Sequence, residues 1–201
     1  EEEPIPVHAY VKDSLLFFRK NPGVCLVLLS GMVTGAALNF VDEFWQLYLH
    51  RIAIPVTYFG LVSAGFMVLR LPGNLFAYAL IKLFRYRTLL AGITVVFCVG
   101  LLYISLVKSF SSLFVIFILY LFSGAVDPIV SGYLHHRIDS NMRATIDSFQ
   151  SLGLRAVVTL AGLGFGWFSS RLDVFGGYAF LALACGVFLI YFLMASRRMV
   201  E

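Results

Sequence analysis

Long apolar runs, separated by short polar segments, make up most of the chain. Six of them reach the roughly 20 residues that a helix needs to cross the hydrocarbon core of a membrane. These predicted spans cover residues 24–49, 58–81, 88–107, 111–134, 144–169 and 177–195. The pattern predicts an all-α membrane protein with a six-transmembrane-helix bundle over residues 24–201. A linker and an interfacial amphipathic helix are expected within residues 1–23.

Polar side chains recur at helical spacing in the first, second, fourth and fifth predicted spans. Intervals of three or four residues place each set on one face of its helix. The sets are Asn39, Asp42, Glu43 and Gln46; Ser63, Arg70 and Asn74; Tyr120, Ser123, Asp127 and Ser131; and Asp147, Ser151, Arg155 and Thr159. We expect these four spans to face a polar cavity, and the third and sixth spans to face lipid or packing partners.

Ionised side chains inside membrane spans are the main functional signal. Each costs about 2.5–3.5 kcal/mol at the centre of a membrane helix, so their presence favours a function. The candidates for substrate binding or proton coupling are Asp42, Glu43, Arg70, Asn74, Asp127 and Arg155. A carboxylate can load and release a proton, and an arginine can hold an anionic or polar substrate group or act on a neighbouring carboxylate.

Each candidate also has a structural interpretation. Asp42 and Glu43 could be hydrated near the membrane surface, or paired with Arg51 or Arg70. Adjacent helical residues point about 100° apart, so Asp42 is the better cavity candidate of the two. Salt bridges within the bundle could equally account for the arginines. Near the start of the fifth span, Asp147 and Arg143 are candidate gate residues, and a helix-start charge is the alternative there.

The charged positions indicate an internal repeat. The separation between Asp42 and Arg70 equals the separation between Asp127 and Arg155. Since three spans make up each unit, the second copy would enter the membrane from the opposite face. The pattern therefore predicts a 3+3 inverted repeat.

Composition and charge agree with a membrane protein. The chain is 60% hydrophobic and 13% charged, about half of the roughly 25% charged residues of a typical soluble domain. Ten Lys and Arg residues lie on one side of the spans, and three lie on the other, namely Arg51, Lys108 and Arg171. The positive-inside rule then predicts that both termini are cytoplasmic, in a plasma or inner membrane. The basic residues form no patch, so nucleic acid is not an expected partner.

Catalytic and metal-binding signatures do not occur in the sequence. There is no nucleophile–base pair, no phosphate-binding loop and no metal-ligand spacing, and all three cysteines lie within apolar runs. We therefore expect no enzyme activity, no cofactor and no metal site.

Several stretches resemble the second half of a transporter of the major facilitator superfamily, spans seven to twelve. NPGVCLVLLSG (21–31) is similar to the beginning of span seven, and RATIDSFQSLGLR (143–155) to the start of span eleven. GLGFGWFSSRLDVFGGYAF (162–180) resembles the turn into span twelve. The loop LIKLFRYRTLL (80–90) keeps the basic residues of the family's cytoplasmic loop but lacks its Asp and Gly. A gating role for this loop is therefore not expected.

The resemblance implies half of a secondary active transporter. Such a protein would move a small amphiphilic organic solute by alternating access, coupled to protons, and efflux by proton antiport is the expected direction. The implied partners are the solute, protons, the lipid bilayer and an N-terminal six-helix half. Two alternatives stay open: a non-transporting membrane scaffold or sensor with the same fold, and a self-standing six-span homodimer.

Overall fold

The computed structural model describes residues 20–135, 137 and 140–198, and the side chains of 135, 140–143 and 198 lie outside that description. All regular secondary structure in this part of the chain is helical. We number the helices α1 Pro22–Arg51, α2 Phe59–Leu83, α3 Tyr86–Leu106, α4 Ser111–His135 and α5 Ser140–Ala195. Short 3₁₀ turns occur at Val56–Tyr58 and Ser196–Arg198. The interfacial helix predicted over 7–20 lies outside the described residues, apart from residue 20.

The last helix is not straight. Its 56 residues contain non-helical backbone at Leu172 and Asp173, and we call the segments on either side α5a (140–171) and α5b (174–195). The rings of Phe165 and Tyr178 lie 5.7 Å apart, although 13 residues of straight helix would separate them by about 20 Å. The two segments therefore fold back against each other.

Five of the helical segments are long and apolar enough to cross a membrane, with mean hydropathies between 1.4 and 2.5. The first four predicted spans each coincide with one helix, from α1 to α4. The fifth and sixth lie in α5a and α5b, so the structure has five separate long helices among the described residues rather than six. The all-helical fold is thus confirmed, and the inverted repeat stays a prediction.

Helix α4 makes the most extensive contacts in the bundle, with α1, α2 and α3, while α5 packs on α1 and α3. Two glycines allow α2 and α4 to approach closely. A Cβ on Gly73 would lie 2.0 Å from the Leu121 carbonyl oxygen, and a Cβ on Gly124 would lie 2.3 Å from that of Arg70. Only residues without a side chain fit at this crossing.

Charged residues meet at one end of the bundle. Arg51, the last residue of α1, forms a salt bridge with Asp173 at the bend in α5, with Nε–Oδ2 at 2.7 Å. Lys108 lies over the Phe175 ring at 4.4 Å, and Arg171 lies over the Trp167 ring at 3.7 Å. We call Arg51, Lys108, Arg171 and Asp173 the rim cluster. These contacts satisfy each of its charges within the protein.

Candidate functional site

A cavity of about 700 Å³ lies among α1, α2, α4 and α5a, within the usual size range of small-molecule sites. Its polar lining consists of Thr34, Asn39, Asp42, Arg70, Ser123, Asp127, Gln150, Ser151, Arg155 and Thr159. Its apolar lining consists of Met32, Leu38, Phe97, Val126, Leu154 and Val158. The cavity therefore combines charged groups with an apolar wall.

Helical periodicity explains why these residues share one space. Ser151, Arg155 and Thr159 follow each other at intervals of four along α5a, so they lie on one face of that helix. All three line the cavity. The glycine face of α1 lets its neighbours come close: a Cβ on Gly31 would lie 3.2 Å from Val130, and one on Gly35 would lie 3.3 Å from Leu154. The cavity forms between helices that are tightly packed elsewhere along their lengths.

Four of the predicted site residues come together here. Asp42 on α1, Arg70 on α2, Asp127 on α4 and Arg155 on α5a all line the same cavity. They come from the four helices whose polar faces were expected to surround it, whereas α3 contributes only Phe97 and α5b contributes nothing. The third span was expected to face lipid or packing partners, and α3 packs on α4 and α5.

Two other candidates do not line the cavity. Glu43 is exposed and points away from it, as its position next to Asp42 on a helix requires. Asn74 is also exposed, and its Nδ2 donates to the backbone oxygen of Arg70 at 3.2 Å. Asn74 thus completes a local helix contact instead of reaching the cavity.

The candidate gate residues lie apart from the cavity lining. Asp147 is exposed near the start of α5a and does not line the cavity. The side chain of Arg143 lies outside the described residues. The gate role of Asp147 and Arg143 therefore stays a prediction.

Asp42 has a specific partner that the candidate residues did not include. The hydroxyl of Tyr120 on α4 donates to Asp42 Oδ1. Tyr120 is buried and stacks on Phe66 of α2, with the ring centroids 4.1 Å apart and the planes 5° apart. This arrangement connects α1, α2 and α4 at the cavity wall. The sequence pointed to Tyr120 only through its spacing, which places it on the same helix face as Ser123 and Asp127.

The other charged groups of the cavity are not paired with each other. Within the described part of the chain, a single salt bridge occurs, between Arg51 and Asp173. Arg51 thus pairs with Asp173 in the rim cluster, and the alternative in which it pairs with Asp42 is wrong. Pairing of Asp42 with Arg70 is likewise not observed. Among the side chains that the structure describes, none of opposite charge lies within 4.0 Å of Arg70, Asp127 or Arg155, which all face the cavity.

The chemistry available in the cavity is that of binding. Guanidinium groups, carboxylates, hydroxyls and amides converge around an empty volume, and they can hold a polar ligand by charge and hydrogen bonds. Among the described residues, no three His, Cys, Asp or Glu side chains lie close enough together to hold a metal ion. The hydroxyls of Thr34, Ser123 and Thr159 donate to backbone carbonyl oxygens of their own helices.

Comparison of the chain with protein-family models, with curated protein sequences and with solved structures gave no match. The function of the cavity must therefore be argued from the residues that form it.

Proposed function

We propose that this chain forms one half of a secondary active transporter of the major facilitator type. It would move a small amphiphilic organic solute across a membrane by alternating access. The observation that carries the proposal is the convergence of four polar helix faces, on α1, α2, α4 and α5a, around one cavity of about 700 Å³. A cavity bounded by apolar helices and lined by charge is the usual place for a transported solute to bind.

The positions of two equally spaced acid–arginine sets in the sequence support the proposed inverted repeat. Asp42 and Arg70 belong to the first three spans, and Asp127 and Arg155 belong to the last three. All four line the same cavity. Equivalent positions of two inverted units are expected to meet at the substrate site, because transporter sites form at the interface between repeats. In this arrangement α5a and α5b act as separate fifth and sixth spans, since the chain reverses at Leu172–Asp173.

Coupling to protons is part of the proposal. Asp42 and Asp127 are carboxylates on the cavity wall, where each can take up a proton when the cavity opens to one side and release it on the other. The bond from Tyr120 to Asp42 gives one of these carboxylates a partner on a different helix. Protonation of Asp42 would weaken that contact, and helix movement could thereby respond to the proton.

The remaining parts of the proposal concern the whole transporter. A second six-helix half would complete the site, and both termini of this chain would lie in the cytoplasm beneath a plasma or inner membrane. Efflux by proton antiport is the proposed direction. The exposed apolar faces of α2 and α5a, including Leu75, Phe76, Leu160 and Leu163, supply surface for contact with lipid or with that second half.

Proton-coupled flux in liposomes tests the proposed function. The full-length protein is reconstituted into vesicles that contain a pH-sensitive dye, and a panel of amphiphilic organic anions, zwitterions and cations is added under an imposed pH gradient. We expect at least one solute to accelerate proton movement, and D42N and D127N to abolish that acceleration. If every solute leaves proton movement as it is in protein-free vesicles, coupled transport is wrong and the sensor or scaffold alternative takes its place.

A further inference from the structure

The two arginines of the cavity lack the partners that a purely structural role would require. In the part of the chain with described side chains, no carboxylate oxygen lies within 4.0 Å of the guanidinium group of Arg70 or Arg155. Asp42, which could have served Arg70, accepts from Tyr120 instead.

An arginine without a counter-ion must find an acceptor elsewhere. Its guanidinium group stays charged at any ordinary pH. Arg155 is exposed and Arg70 is half-buried, so a ligand that enters the cavity can reach both groups. The five N–H donors form a planar fork that fits a carboxylate or phosphate group with two parallel hydrogen bonds. Two such forks, on α2 and on α5a, face the same cavity.

We propose that the cavity binds organic anions, with the carboxylate or phosphate group of the ligand accepting hydrogen bonds from Arg70 and Arg155. The apolar body of the ligand packs against Leu38, Val126, Leu154 and Val158, which line the same space. This inference rests on the proposed transport function and adds the charge of the substrate to it.

Asp127 refines the class of ligand. Its carboxylate also lines the cavity and has no cationic side chain within 4.0 Å among the described residues. It disfavours a bare anion and attracts a positive group on the ligand. A zwitterion therefore satisfies the cavity better than an anion of the same size, and a cation without an anionic group leaves both arginines without an acceptor.

Three probes with the same aromatic body separate these classes. They are 3-phenylpropionate, an anion; phenylalanine, a zwitterion; and 2-phenylethylamine, a cation. Binding to the full-length protein in lipid nanodiscs is measured by calorimetry without any gradient. We expect affinities in the order zwitterion, anion, cation. Because a hydrogen bond to a charged group contributes about 1.5–3 kcal/mol, R70Q and R155Q should each weaken binding of the first two probes by about 10- to 100-fold.

Matched variants make the test specific. R155K keeps the charge but loses the fork, and should restore part of the affinity. D127N should weaken binding of phenylalanine and strengthen binding of 3-phenylpropionate. R171Q removes an arginine of the rim cluster, which does not line the cavity, and should bind all three probes like the unaltered protein.

Any of three results would overturn the inference. One is tighter binding of 2-phenylethylamine than of the two probes with a carboxylate. The second is unchanged affinity for those two probes in both R70Q and R155Q, and the third is no binding of either by the unaltered protein. The proposed transport function fails separately: if the anions bind as expected but no solute moves protons in vesicles, the cavity is a ligand-binding site of a sensor.

Discussion

The rim cluster and the cavity both contain arginine and aspartate residues, but these residues contact other side chains of the protein in the rim cluster and face an open volume in the cavity. In the rim cluster, Arg51 is bonded to Asp173, and Lys108 lies over an aromatic ring. In the cavity, Arg155 and Asp127 face an open volume without an oppositely charged neighbour among the described residues. The sequence already separates the two groups by position, since Arg51, Lys108 and Arg171 lie between the predicted spans, whereas Asp127 and Arg155 lie within them.

The difference separates structural charge from functional charge. A pair such as Arg51–Asp173 joins two parts of the chain, and its charges are satisfied without any ligand. In the cavity, Asp127 and Arg155 are exposed and form no ion pair among the described residues, so a ligand that enters the cavity can contact them. Substitutions in the rim cluster should therefore change stability with little effect on binding, and substitutions in the cavity should do the reverse.

The largest effect is expected where the cavity depends on helix packing. In G124A, the new Cβ would lie 2.3 Å from the Arg70 carbonyl oxygen, so α2 and α4 must move apart and displace Arg70. We expect a loss of stability of about 1–3 kcal/mol, together with loss of anion binding. Thermal unfolding in detergent and calorimetry with 3-phenylpropionate measure the two effects.

Gly166 provides the control for that substitution. A Cβ at this position meets no atom within 4 Å, so G166A should change stability by less than about 0.5 kcal/mol. Equal destabilisation by G124A and G166A would mean that the close crossing of α2 and α4 does not set the geometry of the cavity.

Two neighbouring carboxylates on α1 allow a sharper comparison, between one that lines the cavity and one that does not. Asp42 lines the cavity and Glu43 does not. D42N should reduce proton-coupled flux at least about ten-fold, equivalent to about 1.4 kcal/mol, because it removes the group proposed to carry the proton. E43Q should retain the full flux. A strong defect in E43Q with normal flux in D42N would reverse the assignment made from the structure.

At the bend in α5, backbone strain should outweigh the lost ion pair. Asp173 has φ 60° and ψ −172°, a region that is essentially restricted to glycine and costs other residues about 1–3 kcal/mol. D173A and D173G both lose the bond to Arg51 and the bond from the Val174 N–H, but only glycine relieves the strain. D173G should therefore be the more stable variant by about 1 kcal/mol or more. Binding of 3-phenylpropionate should be the same in both. Equal stability of the two variants would contradict the strain argument.

The smallest effect is expected for the ion pair on its own. The side chains of Arg51 and Asp173 are 47% and 38% exposed, and exposed pairs of this kind contribute about 0.2–1 kcal/mol. R51Q should lower stability by no more than this amount, with less effect at high salt, and should leave flux unchanged. A loss of flux in R51Q at normal stability would place the rim cluster in the transport mechanism and break the comparison.

Much of the fold was predictable because helical periodicity is a local property. The polar faces of Asp42, Arg70, Asp127 and Arg155 could be read from spacing alone, and the helix boundaries agree with the apolar runs to within a few residues. The bend at Leu172–Asp173 was expected only as a loop between two spans. The non-helical backbone occupies just these two residues, and no local pattern specifies so short a break.

The partners of the charged residues were not predictable for a different reason. Two contacts depend on how α1, α4 and α5 pack: the hydrogen bond from Tyr120 to Asp42 and the salt bridge between Arg51 and Asp173. In each case, the two residues are far apart in the chain. The same packing leaves Asn74 outside the cavity although it lies one helical turn from Arg70. Spacing identifies a face of a helix, but the neighbouring helices decide which part of that face is covered.

The most direct test of the central claim is the reactivity of single cysteines from each side of the membrane. Thr159 lines the cavity, and its neighbour Leu160 is exposed but does not line it. In a protein whose native cysteines are replaced by alanine, T159C should react with a charged, membrane-impermeant thiol reagent added to either side, because alternating access opens the cavity to each side in turn. L160C should react from neither side. Reaction of T159C from one side only, or equal reaction at both positions, would contradict a transported solute passing through this cavity.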